Sequence, residues 1–356
     1  MRGPTQQLSP ELPGIAPAAV CLALLIVPWL SWPACAEETD PAAPARGEPV
    51  RGITVSTHTD GRDWADDPMV PTLQEIKSVG ANWVTIHPYA GIRADGSLRF
   101  RPIDPDHPPQ HVVRPIREAH ALGLKILIKP HLAYWGSPFA WRGAIAFETA
   151  EQWERFWTDY ERWITGLARV SAHADAFVVG TELDRTVGHE ARWRRVIAGV
   201  RERSGAPLTY AANWDSFHEV PFWDALDAVG IQAYFPLTGA DEAISESSIR
   251  AGWQRWMQQL ARFSAEQQRP IVFTELGYNR SHAAPLRPWD DRTDGDDARA
   301  VQEVCLREAL LAIDGEPSVV GAFLWKWFPR PHSIGRTFQL ATPQLKRVIR
   351  DAWFER

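Results

Sequence analysis

The chain has 356 residues, of which 38 are Lys or Arg and 44 are Asp or Glu, so its formal net charge is -6. With 23% charged and 45% hydrophobic residues, it is not a disordered or fibrous protein. The negative balance argues against nucleic acid as a partner. The 18 tryptophans are unusual beside three methionines and three cysteines, because such large flat side chains must either fill a core or line a binding surface.

The first 36 residues have the pattern of an export signal. Arg2 precedes an apolar stretch over residues 18–27, and small residues near Ala36 suit cleavage by signal peptidase. The stretch is short for a membrane span, so a retained anchor is the weaker alternative. Cleavage near Ala36 predicts an exported protein, periplasmic or extracellular, with residues 37–49 as a flexible leader and residues 50–356 as one domain.

Eight short apolar runs follow one another from Val50 onward, with helical stretches between them. In chain order the runs cover residues 52–56, 83–86, 125–128, 176–179, 208–211, 229–233, 271–274 and 320–324. Residues 149–170 show the helical spacing well, since apolar side chains recur there at steps of three and four. Six tryptophans on helical stretches are expected to pack in the core: Trp153, Trp157, Trp163, Trp193, Trp253 and Trp256.

Apolar strands that alternate with helices predict a parallel sheet covered by helices. Eight such units in about 300 residues fit a closed (β/α)8 barrel, or TIM barrel, better than an open doubly wound sheet. No Gly-x-Gly-x-x-Gly follows the first run, which also disfavours a dinucleotide-binding fold. The predicted fold class is therefore α/β, with a single barrel domain whose reactive side chains stand at the carboxyl ends of the strands.

Two of the predicted strands end in the same three residues, Thr-Glu-Leu. Glu182 follows the fourth strand and Glu275 follows the seventh. Two carboxylates three strands apart would face each other across the mouth of such a barrel. Retaining glycosidases use such a pair, in which one carboxylic acid protonates the leaving oxygen and a carboxylate roughly 5 to 5.5 Å away attacks the anomeric carbon. Asp184, two residues after Glu182, either raises the pKa of Glu182 or caps the following loop.

Other polar and aromatic residues near strand ends would ring the mouth with groups suited to sugar hydroxyls and sugar faces. They are His58, His87, Lys129, His131, Asn213, Trp214 and, in the loop after the third strand, Trp135. A catalytic metal is the rival explanation for the histidines, but metal-dependent barrels usually open with His-x-His, and this chain has Thr57-His58-Thr59. A serine hydrolase is disfavoured because no Gly-x-Ser-x-Gly occurs.

The residues around the two glutamates resemble clan A glycoside hydrolases. Gly-Thr-Glu-Leu at 180–183 and Thr-Glu-Leu-Gly-Tyr at 274–278 are most similar to the family 113 β-mannanases and related barrel hydrolases. The resemblance covers roughly residues 50–330. It implies that Glu182 is the acid/base and Glu275 the nucleophile.

The same resemblance implies roles for three further residues. Tyr234 corresponds to the tyrosine that hydrogen-bonds the nucleophile, and Trp325 to the tryptophan under the sugar at the cleavage point, with Trp327 as a competing choice. Thr181 is a departure, because most of clan A has Asn before the acid/base, where it contacts the sugar 2-hydroxyl. The sugar therefore stays open between mannan-like and glucan-like polymers.

We therefore expect an exported, monomeric enzyme that cleaves a β-linked polysaccharide or oligosaccharide by double displacement through a covalent glycosyl-enzyme. Its partner is the carbohydrate substrate, and neither nucleic acid, a stable membrane partner, a cofactor nor a metal is expected. Two alternatives remain open. One is a saccharide-binding barrel without hydrolytic activity, in polysaccharide export or cell-wall metabolism, and the other is a transglycosylase that uses the same intermediate.

Overall fold

The computed structural model describes residues 47–329 and 337–354. The predicted export signal and most of the predicted leader lie outside the described residues. The strands are β1 (Val50–Val55), β2 (Trp83–Ile86), β3 (Tyr89–Ile92), β4 (Leu98–Arg99), β5 (Lys125–Ile128), β6 (His131–Ala133), β7 (Ala176–Thr181), β8 (Leu208–Asn213), β9 (Val229–Gln232), β10 (Ile271–Leu276) and β11 (Val319–Trp327).

Eight of these strands close into a parallel barrel, which confirms the predicted fold class. Their order around the barrel is β1-β11-β10-β9-β8-β7-β5-β2. The other three form a small separate sheet in the order β4-β3-β6, just beyond the carboxyl ends of β2 and β5. Because β7 and β10 run to Thr181 and Leu276, Glu182 comes directly after its strand and Glu275 lies inside its strand.

Seven α-helices lie in the described part of the chain, and none is long and apolar enough to cross a membrane. They are α1 (Met69–Ser78), α2 (Gln110–Ala121), α3 (Ala150–Val170), α4 (Glu190–Arg201), α5 (Glu246–Gln267), α6 (Arg299–Gly315) and α7 (Pro343–Phe354). The expectation of a helix in every unit is wrong for the fifth unit. Residues 214–228 form only two short 3-10 turns there, because the segment is short and carries Pro221.

Helix α3 illustrates how the sequence sets an element and its packing. Thr149 accepts from the Gln152 backbone N–H at 3.3 Å, and the Gln152 side chain accepts from the Thr149 N–H at 3.0 Å, which together form a capping box. The helix then buries an apolar face that includes Trp157 and Trp163. Four of the six helical tryptophans are fully buried and the other two are half-buried against the core, as predicted. Burial of each such ring contributes on the order of 1.5–3 kcal/mol.

Candidate active site

Glu182 begins the loop after β7 with a left-handed backbone, at a φ of 53°. This conformation is uncommon for a residue with a Cβ and is maintained only where the surroundings enforce it. Here the Glu182 N–H donates to the Ala211 carbonyl at 2.9 Å, and the Leu183 N–H donates to the Tyr210 hydroxyl at 2.8 Å. These bonds to β8 fix the turn that carries the Glu182 side chain to the mouth of the barrel.

The Glu182 carboxylate has two side-chain partners. Gln232 donates from Nε2 to its Oε1 at 3.1 Å, and the Arg142 guanidinium donates to its Oε2. Burial raises the pKa of Glu182, but the charge and hydrogen bond of Arg142, the hydrogen bond from Gln232 and the charge of Lys129 together outweigh burial and leave this pKa below its ordinary value. Contact with Arg142 therefore favours the ionised form of Glu182 over the protonated form that an acid catalyst needs.

Glu275 is only 4% exposed and has a different set of partners. The ammonium of Lys129, at the end of β5, pairs with its Oε1, and the Tyr234 hydroxyl donates to its Oε2 at 2.7 Å. The Tyr234 contact is the one that the family resemblance implies. Burial lowers the pKa of Lys129, and the charge of Glu275 opposes that effect. A buried ion pair of this kind is held by its hydrogen bonds, and removal of one partner is costly.

Gln232, the last residue of β9, links the two carboxylates. Its Nε2 donates to Glu182, and its Oε1 accepts from the Thr274 hydroxyl at 2.9 Å and from Lys129 at 3.4 Å. Because the Lys129 ammonium can only donate, the Gln232 amide oxygen must face it, and Gln232 presents its amide N–H to Glu182. Glu182 and Glu275 therefore belong to one hydrogen-bonded network.

The predicted histidines His87 and His131 form the floor of the site. Their rings stack with centroids 4.9 Å apart, and Trp325 packs beside them at 5.4 and 6.2 Å. Burial and nearby cations lower the pKa of both histidines well below the ordinary value, so both are neutral. His131 Nε2 lies 3.8 Å from Glu275 Oε1. In the described part of the chain, no group of three or more His, Cys, Asp or Glu could hold a metal ion.

The two competing tryptophans on β11 differ in position. Trp325 is half-buried, and the ammonium groups of Lys129 and Lys326 lie 5.3 and 5.1 Å from its ring. Trp327 is 1% exposed and belongs to the hydrophobic core, so the structure does not bring it to the mouth of the barrel. Trp325 is thus the tryptophan that is available to a sugar.

Two polar residues that were predicted to contact the sugar form hydrogen bonds with other groups of the protein. The buried Thr181 hydroxyl donates to the Pro130 carbonyl at 3.0 Å. Asn213 donates from Nδ2 to both carboxylate oxygens of Asp184, each at 3.0 Å. The structure therefore offers neither Thr181 nor Asn213 as an open donor. Asp184 is the first residue of the 3-10 turn Asp184–Thr186, and both of its carboxylate oxygens accept from Asn213.

The rim carries flat, exposed rings of the kind that pack on sugar faces. Trp135 is 60% exposed and lies against Tyr89 with centroids 5.4 Å apart. Trp214 stacks on Trp289 at 5.4 Å with 11° between the planes. On the other side of the mouth, the exposed His58 stacks on Phe328 at 4.3 Å.

Four residues near the carboxylates were not predicted as site residues: Tyr89, Arg142, Gln232 and Lys326. Gln232 is the last residue of β9 and the second-last of the predicted run 229–233, so the rule that reactive groups stand near strand ends points to it. Arg142 lies in the loop after β6, forty residues before its partner Glu182. No local spacing relates those two positions.

The pH dependence of stability gives a test of burial at Asp184. Burial is the largest cause that raises the pKa of Asp184 to about 6, the hydrogen bond from Asn213 opposes it, and the charge of Glu182 adds to it. The folded-state pKa lies above the ordinary value of 3.8, so the folded protein favours the protonated Asp184 carboxyl. Its contribution to the free energy of unfolding is therefore complete below about pH 4 and is lost as the pH rises through about 6.

We therefore expect the melting temperature of D184N, relative to that of the parent protein, to increase between about pH 4 and 6, because the asparagine side chain cannot ionise. Thermal unfolding of both proteins in a series of buffers measures this difference. A difference that stays constant over this pH range would contradict the prediction.

A closed (β/α)8 barrel with two glutamates at strand ends, joined in one network and surrounded by aromatic faces, is the arrangement of a glycoside hydrolase. The family model of Glycoside Hydrolase Family 113 matches residues 53–336, which is most of the chain. The chain belongs to this family, as the resemblance around its glutamates predicted, and is a glycoside hydrolase.

Solved structures agree with this assignment. A family 113 β-mannanase from Alicyclobacillus acidocaldarius, in complex with ManMIm, is 25% identical, with a TM-score of 0.74 over 86% of this chain and 97% of that one. A family 113 β-1,4-mannanase is 20% identical, with a TM-score of 0.75 over 87% of this chain and 100% of that one. A β-glucuronidase from Ruminococcus gnavus is 16% identical and shares the fold, with a TM-score of 0.55 over 86% of this chain and 50% of that one. None of the curated protein sequences matches this chain.

Proposed function

We propose that this enzyme hydrolyses β-linked mannan with retention, with Glu275 as the nucleophile and Glu182 as the acid/base. The observation that carries the proposal is the difference between the partners of the two carboxylates. Glu275 is fixed in position by the buried ammonium of Lys129 and by the hydroxyl of Tyr234. Glu182 is held by Arg142 and Gln232 at the more open position.

The two steps follow from these positions. Glu275 attacks the anomeric carbon while protonated Glu182 donates its proton to the leaving oxygen, which breaks the glycosidic bond and forms a glycosyl-enzyme. Glu182, now a carboxylate, then takes a proton from water as that water attacks the anomeric carbon and releases Glu275. Trp325 lies beside Lys129 and would form the platform under the sugar.

Mannan is proposed as the polymer because two neighbours in the same family are β-mannanases. The test is an incubation of the enzyme with β-1,4-mannan, a β-glucan and a β-galactan, with NMR of the first products. Cleavage of mannan with the β-anomer formed first is the expected result. If the α-anomer forms first, retention is wrong, and if only the glucan or galactan is cleaved, the polymer is wrong. Products longer than the substrate would identify transglycosylation.

We also propose that the enzyme is exported, because its polymeric substrate is too large to enter a cell and the first 36 residues have the pattern of a cleaved signal. Expression of the full chain, followed by N-terminal sequencing of the exported protein, is the test. The expected first residue is Glu37, and a protein that keeps its N-terminus would contradict cleavage.

A further inference from the structure

A cleft lies next to the small sheet of β3, β4 and β6. Its volume is about 950 Å³, and its lining includes Tyr89 and Trp135 but neither Glu182 nor Glu275. A series of side-chain contacts connects it to Glu275, because His131 lies 3.8 Å from that carboxylate, Tyr89 packs on His131 at 5.9 Å, and Trp135 packs on Tyr89 at 5.4 Å. A sugar chain bound at Glu275 can therefore continue into this cleft.

The cleft has more positively charged side chains than negatively charged ones. Arg62 is paired with Asp60 at 2.8 Å, whereas Arg99 and Arg101 line the same cleft and form no ion pair with any residue that the structure describes. Arg99 lies over Gly91 of β3, where an added Cβ would come within 3.4 Å of its Nε. The glycine thus leaves room for a guanidinium against the strand.

A third cation stands at the side of the cleft that faces β11. His58 lines the cleft and stacks on Phe328, and the Lys326 ammonium lies 5.3 Å from the Phe328 ring. Lys326 is half-buried, and its ammonium has no hydrogen-bond or ion-pair partner within residues 47–329 and 337–354. The rings of Trp325 and Phe328 face this ammonium at 5.1 and 5.3 Å, but rings accept no conventional hydrogen bond, so a bound anion would supply the acceptor that its N–H groups lack among the described residues.

We propose that this cleft binds a sugar unit that carries a carboxylate, so that the natural substrate is an acidic β-linked polysaccharide that contains uronic acid. The proposal rests on the proposed function, and it adds the charge of the substrate. The planar guanidinium groups of Arg99 and Arg101 suit a carboxylate because they donate two parallel hydrogen bonds to it. The exposed ring of Trp135 supplies a face for the same sugar.

Binding to two matched oligosaccharides tests this proposal. β-1,4-linked mannuronate and mannose hexasaccharides have the same backbone and differ in a carboxylate at each unit. K129M/E275Q is a suitable inactive protein, because it removes the nucleophile without leaving a buried charge unpaired. Calorimetry is expected to show that this protein binds the mannuronate about tenfold more tightly, since each charge-assisted hydrogen bond contributes of that order.

Adding R99Q/R101Q to the inactive protein should remove most of this preference. R262Q/R347Q is the matched control, because both arginines are exposed on helices α5 and α7, outside the cleft, and the loss of charge is the same. Equal affinities for the two hexasaccharides, or a preference that survives R99Q/R101Q, would overturn the proposal. Equal binding of a sulfated mannohexaose would overturn the assignment to a carboxylate. If the parent enzyme cleaves neither polymer, the proposed function fails, but the binding preference is still decided by these variants.

Discussion

Glu275→Ala is expected to lower kcat/KM by roughly 10⁴-fold or more, since the first covalent step has no nucleophile without this carboxylate. The same change should destabilise the barrel, because Lys129 is fully buried and would lose its ionic partner. Removal of one member of a buried ion pair costs about 3–5 kcal/mol. Assays of hydrolysis and of urea unfolding measure the two effects separately.

The double variant K129M/E275Q separates chemistry from folding. It replaces both charges with neutral side chains of similar size, which is often close to neutral for stability. We expect its urea midpoint to lie near that of the parent protein, while it remains inactive. Turnover by this double variant, or by folded E275A, would end the assignment of Glu275 as the nucleophile.

Azide tests which glutamate has which role. In E275A, azide enters from the face that Glu275 occupied and yields the α-glycosyl azide. In E182A, the glycosyl-enzyme still forms on activated substrates, and azide attacks from the opposite face to yield the β-glycosyl azide. The reverse pattern would exchange the roles of Glu182 and Glu275.

Those parts of the molecule that depend on local sequence pattern were predictable. The barrel strands repeat as apolar runs, because a strand buried on both faces has no polar positions to interrupt it. Glu182 and Glu275 were found because the carboxyl ends of parallel strands meet at one mouth, and Tyr234 was found through the family resemblance. The identity of the site therefore follows from topology and residue type.

The remaining parts depend on contacts between distant segments. The packing of β11 decides whether Trp325 or Trp327 faces the mouth. The local sequence around these two residues does not predict which one does. Thr181 and Asn213 look like sugar ligands by position, yet each is bonded to a neighbouring protein group. Arg142 comes from a loop whose path no periodicity predicts.

Arg142 should set the alkaline limit of activity through its ion pair with Glu182. The acid/base must be protonated to start the reaction, so activity falls as the pH rises through the pKa of Glu182. Burial, the largest single cause, raises that pKa, and Arg142, Gln232 and Lys129 together lower it below its ordinary value. R142Q removes the lowering charge and leaves burial, so Glu182 should keep its proton to a higher pH.

The expected result is an alkaline limb of kcat/KM that moves to higher pH in R142Q, with a tenfold gain in the protonated fraction on that limb for each unit by which the pKa rises. R185Q is the matched control, because Arg185 is exposed three residues after Glu182 and makes no ion pair in the described part of the chain. Its pH profile should equal that of the parent. An alkaline limb that stays in place or moves to lower pH in R142Q would show that Arg142 does not govern the proton on Glu182.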